Sequence, residues 1–401
     1  MSPNFLQPLW VCLVLTFTST AMGFQWPTVR LNDDDVKWLQ ANGATDPQTK
    51  TAFKLAFEEA KNVIRQPNIS VTDKPNVPPS GDKRDYFSVS RYWWPNPETE
   101  DHLPWIRKDG KTNPSTRSDD FDSQRLRLVA KKIEVLCVAY AISEDEAYAK
   151  RASAMLQTFF LDSKTGMRPN FRYSGSVPGV AEGRASGLIE LRSITRILKV
   201  VHVLEKSDSF KGEVSSGLAS WSRQLLDWIL TSEIGRKEAV SANNHGTFLD
   251  ATVMTLGYVA GRKSFARLVA TESLPARMER QFDNFGKQRL ELERTLSLKY
   301  SLFNIEAYMN CRELGTQIGV DVWSEKLEKG IEYAARSVRG DRKWAHRQDK
   351  KLGGQDILVV ARLIERTGHP ELAQGMTKPF HLDQNYKESL KQLLLPPRST
   401  K

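Results

Sequence analysis

The sequence predicts an all-α protein. Apolar residues recur at helical spacing through most of the chain, capping residues stand at the start of several runs, and no convincing run alternates as a strand would. Asp33-Asp34-Asp35 reads as a helix start, with acidic side chains near the positive end of the helix. Asp46-Pro47 opens a second helix, with Asp as cap and Pro at the first helical position. Its stripe is Phe53, Ala56, Phe57, Ala60, Val63 and Ile64. The pattern returns in Leu126, Val129, Ile133, Leu136, Cys137 and Tyr140, in Leu218, Trp221, Leu225, Trp228 and Ile229, and in Ile357, Val360, Ala361 and Ile364. Further helical stretches are expected near 144–160, 184–205, 246–281, 297–315 and 323–337. Helices on short connections can build a bundle, a solenoid or a closed toroid of hairpins. No fixed-period repeat is present, which disfavours the standard solenoid families.

The first residues are expected to lie outside this fold. Leu9 to Phe17 is apolar, Ser19 to Gly23 is rich in small residues, and the run is too short to span a bilayer comfortably. A cleaved signal peptide over 1–23 is expected, although no Lys or Arg precedes the run, with one domain over 24–401 and a secreted, extracellular product. Asn68-Ile69-Ser70 is a glycosylation sequon, which suits that destination. Cys137 and Cys311 remain after processing, either as a disulfide or as two buried thiols. The formal charge of +10 suits a polyanionic partner: acidic polysaccharide, nucleic acid or a membrane surface. The basic residues are scattered and no nucleic-acid module is visible. HExxH, Cys/His clusters, Gly-rich phosphate loops and Ser nucleophile elbows are missing, so neither metal nor cofactor is expected. A monomer is expected, with no membrane association after signal removal.

Pro67 to Asp122 breaks the helical pattern. It holds eight of the 19 prolines yet is rich in aromatics, unlike a disordered linker. We read it as an ordered loop over a groove. Sugar rings present apolar faces to indoles, while their carboxylates need cations. Tyr92, Trp93, Trp94, Trp105 and Arg107 supply both kinds of group.

Asn243-Asn244-His245-Gly246-Thr247, Arg294 and Tyr300 carry the chemistry. They bring together amide, imidazole, guanidinium and phenol. That set suits removal of a proton beside a carboxylate and loss of the neighbouring sugar oxygen. Fixed amide and cationic groups neutralise the carboxylate. His or Tyr moves the protons, and an Arg beside the Tyr favours its phenolate. Arg294 and Tyr300 would not share a face of one continuous helix. They converge if Arg294 precedes the helix, with Thr295 or Ser297 as its N-cap. Asn243 reads as a cap for the helix starting near His245.

The chain resembles the alginate-lyase-type domain family, which includes mannuronate-type alginate lyases and related glucuronan lyases. The resemblance runs through SRYWWPNP (90–97), LPWIRKDGKTNP (103–114), TGMRPNFRYSGSVPG (165–179), NNHGTFLDA (243–251), ELERTLSLKYSLFN (291–304) and GVDVW (319–323). It implies an incomplete (α/α) toroid of helical hairpins and a lyase acting on an acidic polysaccharide. It also implies Asn244, His245, Arg294 and Tyr300 as the catalytic set, with Tyr92, Trp93, Trp94, Trp105, Arg107, Tyr173 and Asn243 meeting substrate. In the family Tyr acts as acid and often as base, because H5 and O4 of mannuronate or glucuronate share one face. His takes over as base when they do not. Two stretches depart from the family pattern: Ser174-Gly175-Ser176, where a Gln is usual, and Phe285-Gly286-Lys287-Gln288, where an Asp-Gly pair is usual. Other readings are a glycoside hydrolase using carboxylates such as Asp250, Glu291 or Glu293, and a sugar-binding protein without catalysis.

Overall fold

The computed structural model describes residues 23–376 and 386–397. All of the expected signal peptide except Gly23 lies outside them. Helix α1 (Asp33–Asn42) begins at the acidic run read as a helix start, and α2 (Pro47–Arg65) at its expected Asp46 cap. Asn32 accepts from the Asp35 amide at 2.9 Å and Asp46 from the Thr49 amide at 2.7 Å. A hairpin of α3 (Asp122–Ser143) and α4 (Glu146–Leu156) follows. The helix expected over 184–205 is broken: α5 (Arg192–Leu198) is flanked by 3-10 turns at 185–191 and 201–206. The first of these turns runs against the backbone of Ser174, so closely that a Cβ at Gly187 would overlap it. Next come α6 (Glu213–Thr231), α7 (Glu233–Ala239) and α8 (Asn244–Val259). The stretch expected over 246–281 is interrupted after α8, then continues as α9 (Lys263–Leu268) and α10 (Leu274–Gln281). Short α11 (Arg289–Leu292) leads to long α12 (Ser297–Gln317). Then follow α13 (Glu325–Arg339), α14 (Gly354–Arg366), α15 (Pro370–Ala373) and α16 (Tyr386–Leu394).

These helices form the expected toroid of hairpins. Helices α3, α8 and α12 bury residues on nearly all sides, as an inner ring requires. Helices α2 and α13 bury one stripe and show charge to solvent. Helix α8 packs on α12 and α6, α12 on α14, and α3 on α2 and α4. Helix α16 lies against α2 and reaches α14, joining the first long helix to the last. Cys137 and Cys311 are separate, buried thiols with no disulfide between them.

Four short strands escaped the sequence pattern, being two to four residues long. Strand β1 (Phe87–Val89) pairs in parallel with β4 (Tyr173–Ser176), and β2 (Trp93–Trp94) pairs antiparallel with β3 (Ile106–Arg107). They give the segment 67–122 its order. Its base is fixed by Lys74 and Asp122, fully buried and 2.7 Å apart. Lys74 also donates to the carbonyls of Val71 and Lys83, and the Phe87 amide donates to Asp122 at 2.9 Å.

Candidate active site

Two helix starts and the long loop meet at one cleft of about 810 Å³. Asn243 caps α8 by accepting from the His245 amide at 3.1 Å. Asn244 follows as the first helical residue and is 1% exposed. Its backbone amide and side-chain Nδ2 both donate to Glu291, at 2.7 Å and 2.9–3.0 Å. Asn244 Oδ1 is left buried without a hydrogen-bond partner among the described residues. Glu291 is 2% exposed, and burial raises its carboxyl above the usual range despite the donors from Asn244. His245 places Nδ1 2.8 Å from Glu238 Oε1 and keeps 23% of its side chain open. That contact holds the ring by Nδ1 and leaves Nε2 as the free nitrogen.

Gly246 is needed here for close approach: a Cβ would lie 2.0 Å from Arg277 Nη1. Arg277 passes over it to the carbonyls of Ser241 and Ala239 and is anchored on Asp250 at 2.5 Å. The loop before Asn243 is thereby tied to α8.

At the second helix start, Arg294 does precede α12, and its guanidinium stacks 3.8 Å from the centre of the Tyr300 ring. Arg294 Nη2 also meets Asp109 of the long loop at 3.2 Å. The expected cap is a correction. Leu296 holds the cap position, where it has no oxygen to offer, and Ser297 instead donates to the Arg347 carbonyl at 2.6 Å. Gln348 does the capping from a distance, accepting from the Leu298 amide at 2.9 Å.

The Tyr300 hydroxyl lies 2.7 Å from that of Tyr92, so the long loop touches the proposed acid–base group directly. The ionisation expected of Tyr300 is also corrected. Arg294 pulls its pKa down, but burial, with help from Tyr92, pushes it well above the ordinary tyrosine value. The structure therefore holds Tyr300 as a phenol.

Tyr92, Trp93, Arg107, Asn243, Asn244, His245, Arg294 and Tyr300 all line the cleft. Trp94, Trp105 and Tyr173 are not among its lining residues. Trp94 donates to the Lys111 carbonyl at 2.9 Å and is stapled to the loop itself. Trp105 packs where its own amide bonds to Pro178, and Tyr173 is 4% exposed in β4. Asn68 is exposed, with its side chain bonded to Thr158 and Arg151. Sequence reasoning missed Glu238, Asp109 and Arg184, the last stacking over Trp93 at 5.2 Å. Charged residues are frequent in this chain, and none of these three carries a spacing that marks it. The carboxylates named for a hydrolase do not form a facing pair: Asp250 is buried on Arg277, Glu291 is buried under Asn244, and exposed Glu293 pairs with Arg289.

A helical toroid carrying this cleft is the architecture of a polysaccharide lyase, and comparison with known proteins agrees. The model of the alginate lyase family matches residues 70–344, well over half of the chain, and the chain belongs to that family. It is similar to an alginate lyase from Bacteroides ovatus, with 27% identity and a TM-score of 0.82 over 91% of this chain and 98% of that one. Alginate lyase A1-III from Sphingomonas species A1 shares the fold at 14% identity and a TM-score of 0.53, over 93% of this chain and 97% of that one. A variant of A1-III complexed with tetrasaccharide gives 14% identity and a TM-score of 0.54, over 94% and 98%. No curated protein sequence matches the chain.

Proposed function

We propose that this lyase is exported and cleaves a 1,4-linked uronic-acid polymer, glucuronan or mannuronate-rich alginate, by beta-elimination. The observation that carries the reading is the meeting of Tyr300, Arg294, His245 and Asn244 on one cleft. Arg294 and Asn244 neutralise the uronate carboxylate, so that charge can spread onto it as the C5–H bond breaks. The C5–H electrons become the C4–C5 double bond, and O4 leaves with a proton. The proton passes in net from C5 to O4, and the enzyme returns to its starting state.

Tyr300, held as a phenol, is ready to donate to O4. To act as the base it first gives that proton to solvent, a loss favoured when contact with Tyr92 is exchanged for substrate; the phenolate then takes H5, and the phenol so re-formed donates to O4. His245 is the base for sugars whose H5 and O4 lie on opposite faces. Glu291 completes the set: burial favours its protonated form, and in that form it can donate to a turned Asn244 amide, whose NH₂ then faces the carboxylate. The oxygen and nitrogen of such an amide exchange places without changing its shape. Trp93, Tyr92 and Arg107 supply the sugar-facing wall.

The test is a screen of purified protein against glucuronan, polymannuronate, polyguluronate and hyaluronan, read by the near-ultraviolet absorbance of unsaturated uronate. Absorbance on glucuronan or polymannuronate supports the reading. Reducing ends released without absorbance, or no release from any polymer, sinks it.

A further inference from the structure

The cleft does not end at Tyr300. Phe303, Glu306 and Asn310 continue along the same face of α12 and line the same cavity. From Tyr300 to Glu313 the helix descends about 20 Å at 1.5 Å per residue. Arg192, Arg196 and Lys199 reach into this depth from α5 and its end, and Lys391 enters from α16.

The N-terminal segment crosses the far end. Gln317 donates to Thr28 Oγ1 at 2.9 Å, Arg30 meets Glu313 at 2.7 Å, and His202 Nε2 lies 3.2 Å from the Leu31 carbonyl. Of these residues Arg30 lines the cavity, so the N-terminal segment contributes to its wall at the end away from the catalytic groups.

Its charge is unbalanced. Arg30, Arg192, Arg196, Lys199 and Lys391 stand against Glu134, Glu306, Glu313 and Asp356; Asp356 is held by Lys299 at 2.7 Å, and Glu313 lies 3.8 Å from Lys199. Arg196 is bound to Glu134, Arg192 meets Glu306 at 3.2 Å, and Lys199 meets Asn310 at 2.7 Å. Arg192 and Arg196, both in the cavity lining, still keep 34% and 38% of their side chains exposed. Burial lowers Lys199 to about 8 and depresses Lys391 as well. A carboxylate arriving in the chamber would relieve both. Thr195 and Asn310 on the wall offer partners for sugar hydroxyls.

We propose that this inner chamber binds the uronic-acid polymer beyond the ring that is cleaved, with Arg192, Arg196, Lys199 and Lys391 holding a carboxylate there. This rests on the lyase reading of the cleft mouth.

The experiment measures kcat/KM on oligouronates of increasing length for the wild type, Lys199→Met and Lys391→Met. For the wild type, kcat/KM should rise about tenfold or more at the length that first places a carboxylate in the chamber. Each Met variant should lose most of that rise and turn over the shortest cleavable oligomer within about twofold of the wild-type rate. Lys199→Arg and Lys391→Arg should restore the rise, which separates lost charge from lost folding. Turnover without a length effect in the wild type, equal slowing at every length in the Met variants, or no slowing at all overturns the chamber. If no oligouronate of any length yields unsaturated product, the lyase reading fails and the chamber proposal falls with it.

Discussion

Burial and charge act against each other on Tyr300. Burial and Tyr92 favour the phenol, while Arg294 favours the phenolate. Tyr300→Phe should cut kcat by about 10²–10⁴-fold, the usual worth of a general acid–base, while oligomer affinity measured by calorimetry is retained. Near-wild-type turnover would remove the phenol from the mechanism. Tyr92→Phe removes one cause that raises the Tyr300 pKa. A base works when deprotonated, so activity that depends on the Tyr300 phenolate rises as pH climbs through its pKa. Lowering that pKa moves the rise in kcat/KM to lower pH, and Arg294→Gln should move it the other way. A profile that stays fixed in both variants means another group limits the rate. The buried Glu291 gives a sharper test of Asn244. Glu291→Gln can still donate to Asn244 Oδ1 and should keep most of the activity, whereas Glu291→Ala leaves the amide unheld and should lose about tenfold or more. Equal losses in both would mean that Asn244 needs the carboxylate itself. Asn243 as a cap was legible, because capping is local chemistry. The partners Glu238 and Glu291 were not. Glu291 comes from 47 residues away, and the fold alone brings it to Asn244.

Helix starts position the proposed chemistry, and the two main ones are built differently. Helix α8 is capped by its own neighbour Asn243, so sequence alone could find it. The same holds for α2, with Asp46 next to it; α1 is capped locally too, by Asn32, though its acidic run rather than its cap marked the start. Helix α12 depends on Gln348, about fifty residues downstream, and on a short bridge between Leu296 and Gln348. Thr295 and Ser297 have capping chemistry that the fold does not use: Ser297 accepts from the Trp344 indole and donates to Arg347, and Thr295 Oγ1 is buried with no hydrogen-bond partner among the described residues. No local rule could rank a distant Gln above them. Gln348→Ala should lower stability by about 0.5–2 kcal/mol, the range for a lost cap. Because Tyr300 sits in that first turn, kcat should fall more than affinity, and Gln348→Glu, which keeps an acceptor, should recover much of it. A stability loss with unchanged kcat would make Gln348 a cap and nothing more. The strands show the complementary limit. Two to four residues cannot display a period, so β1 to β4 become visible only when their partners are in place.

At the scale of the molecule, helical spacing settles the class, and the choice among bundle, solenoid and toroid depends on which helices meet. That choice rests on long-range contacts such as α2 with α16 and α8 with α12, which periodicity does not encode. The long loop was legible as ordered from its aromatic content, but its anchor was not. Lys74 lies in a plain polar stretch and Asp122 closes the non-helical segment, yet they form a fully buried ion pair. The pair joins the loop to α3, and through the loop Tyr92 reaches Tyr300 and Asp109 reaches Arg294. Loss of one partner leaves an uncompensated buried charge, which costs about 3–5 kcal/mol. Lys74→Met should therefore lower stability by about that amount in denaturant unfolding. Asp122→Asn on top of it removes the stranded charge and keeps an oxygen for the Phe87 amide, so the double variant should be more stable than Lys74→Met alone. If the anchor serves the site, the double variant should regain stability but keep a raised KM, because the loop base has lost its ionic hold. Should KM return to the wild-type value along with stability, the pair only supports folding, and the loop finds its place over the cleft without it.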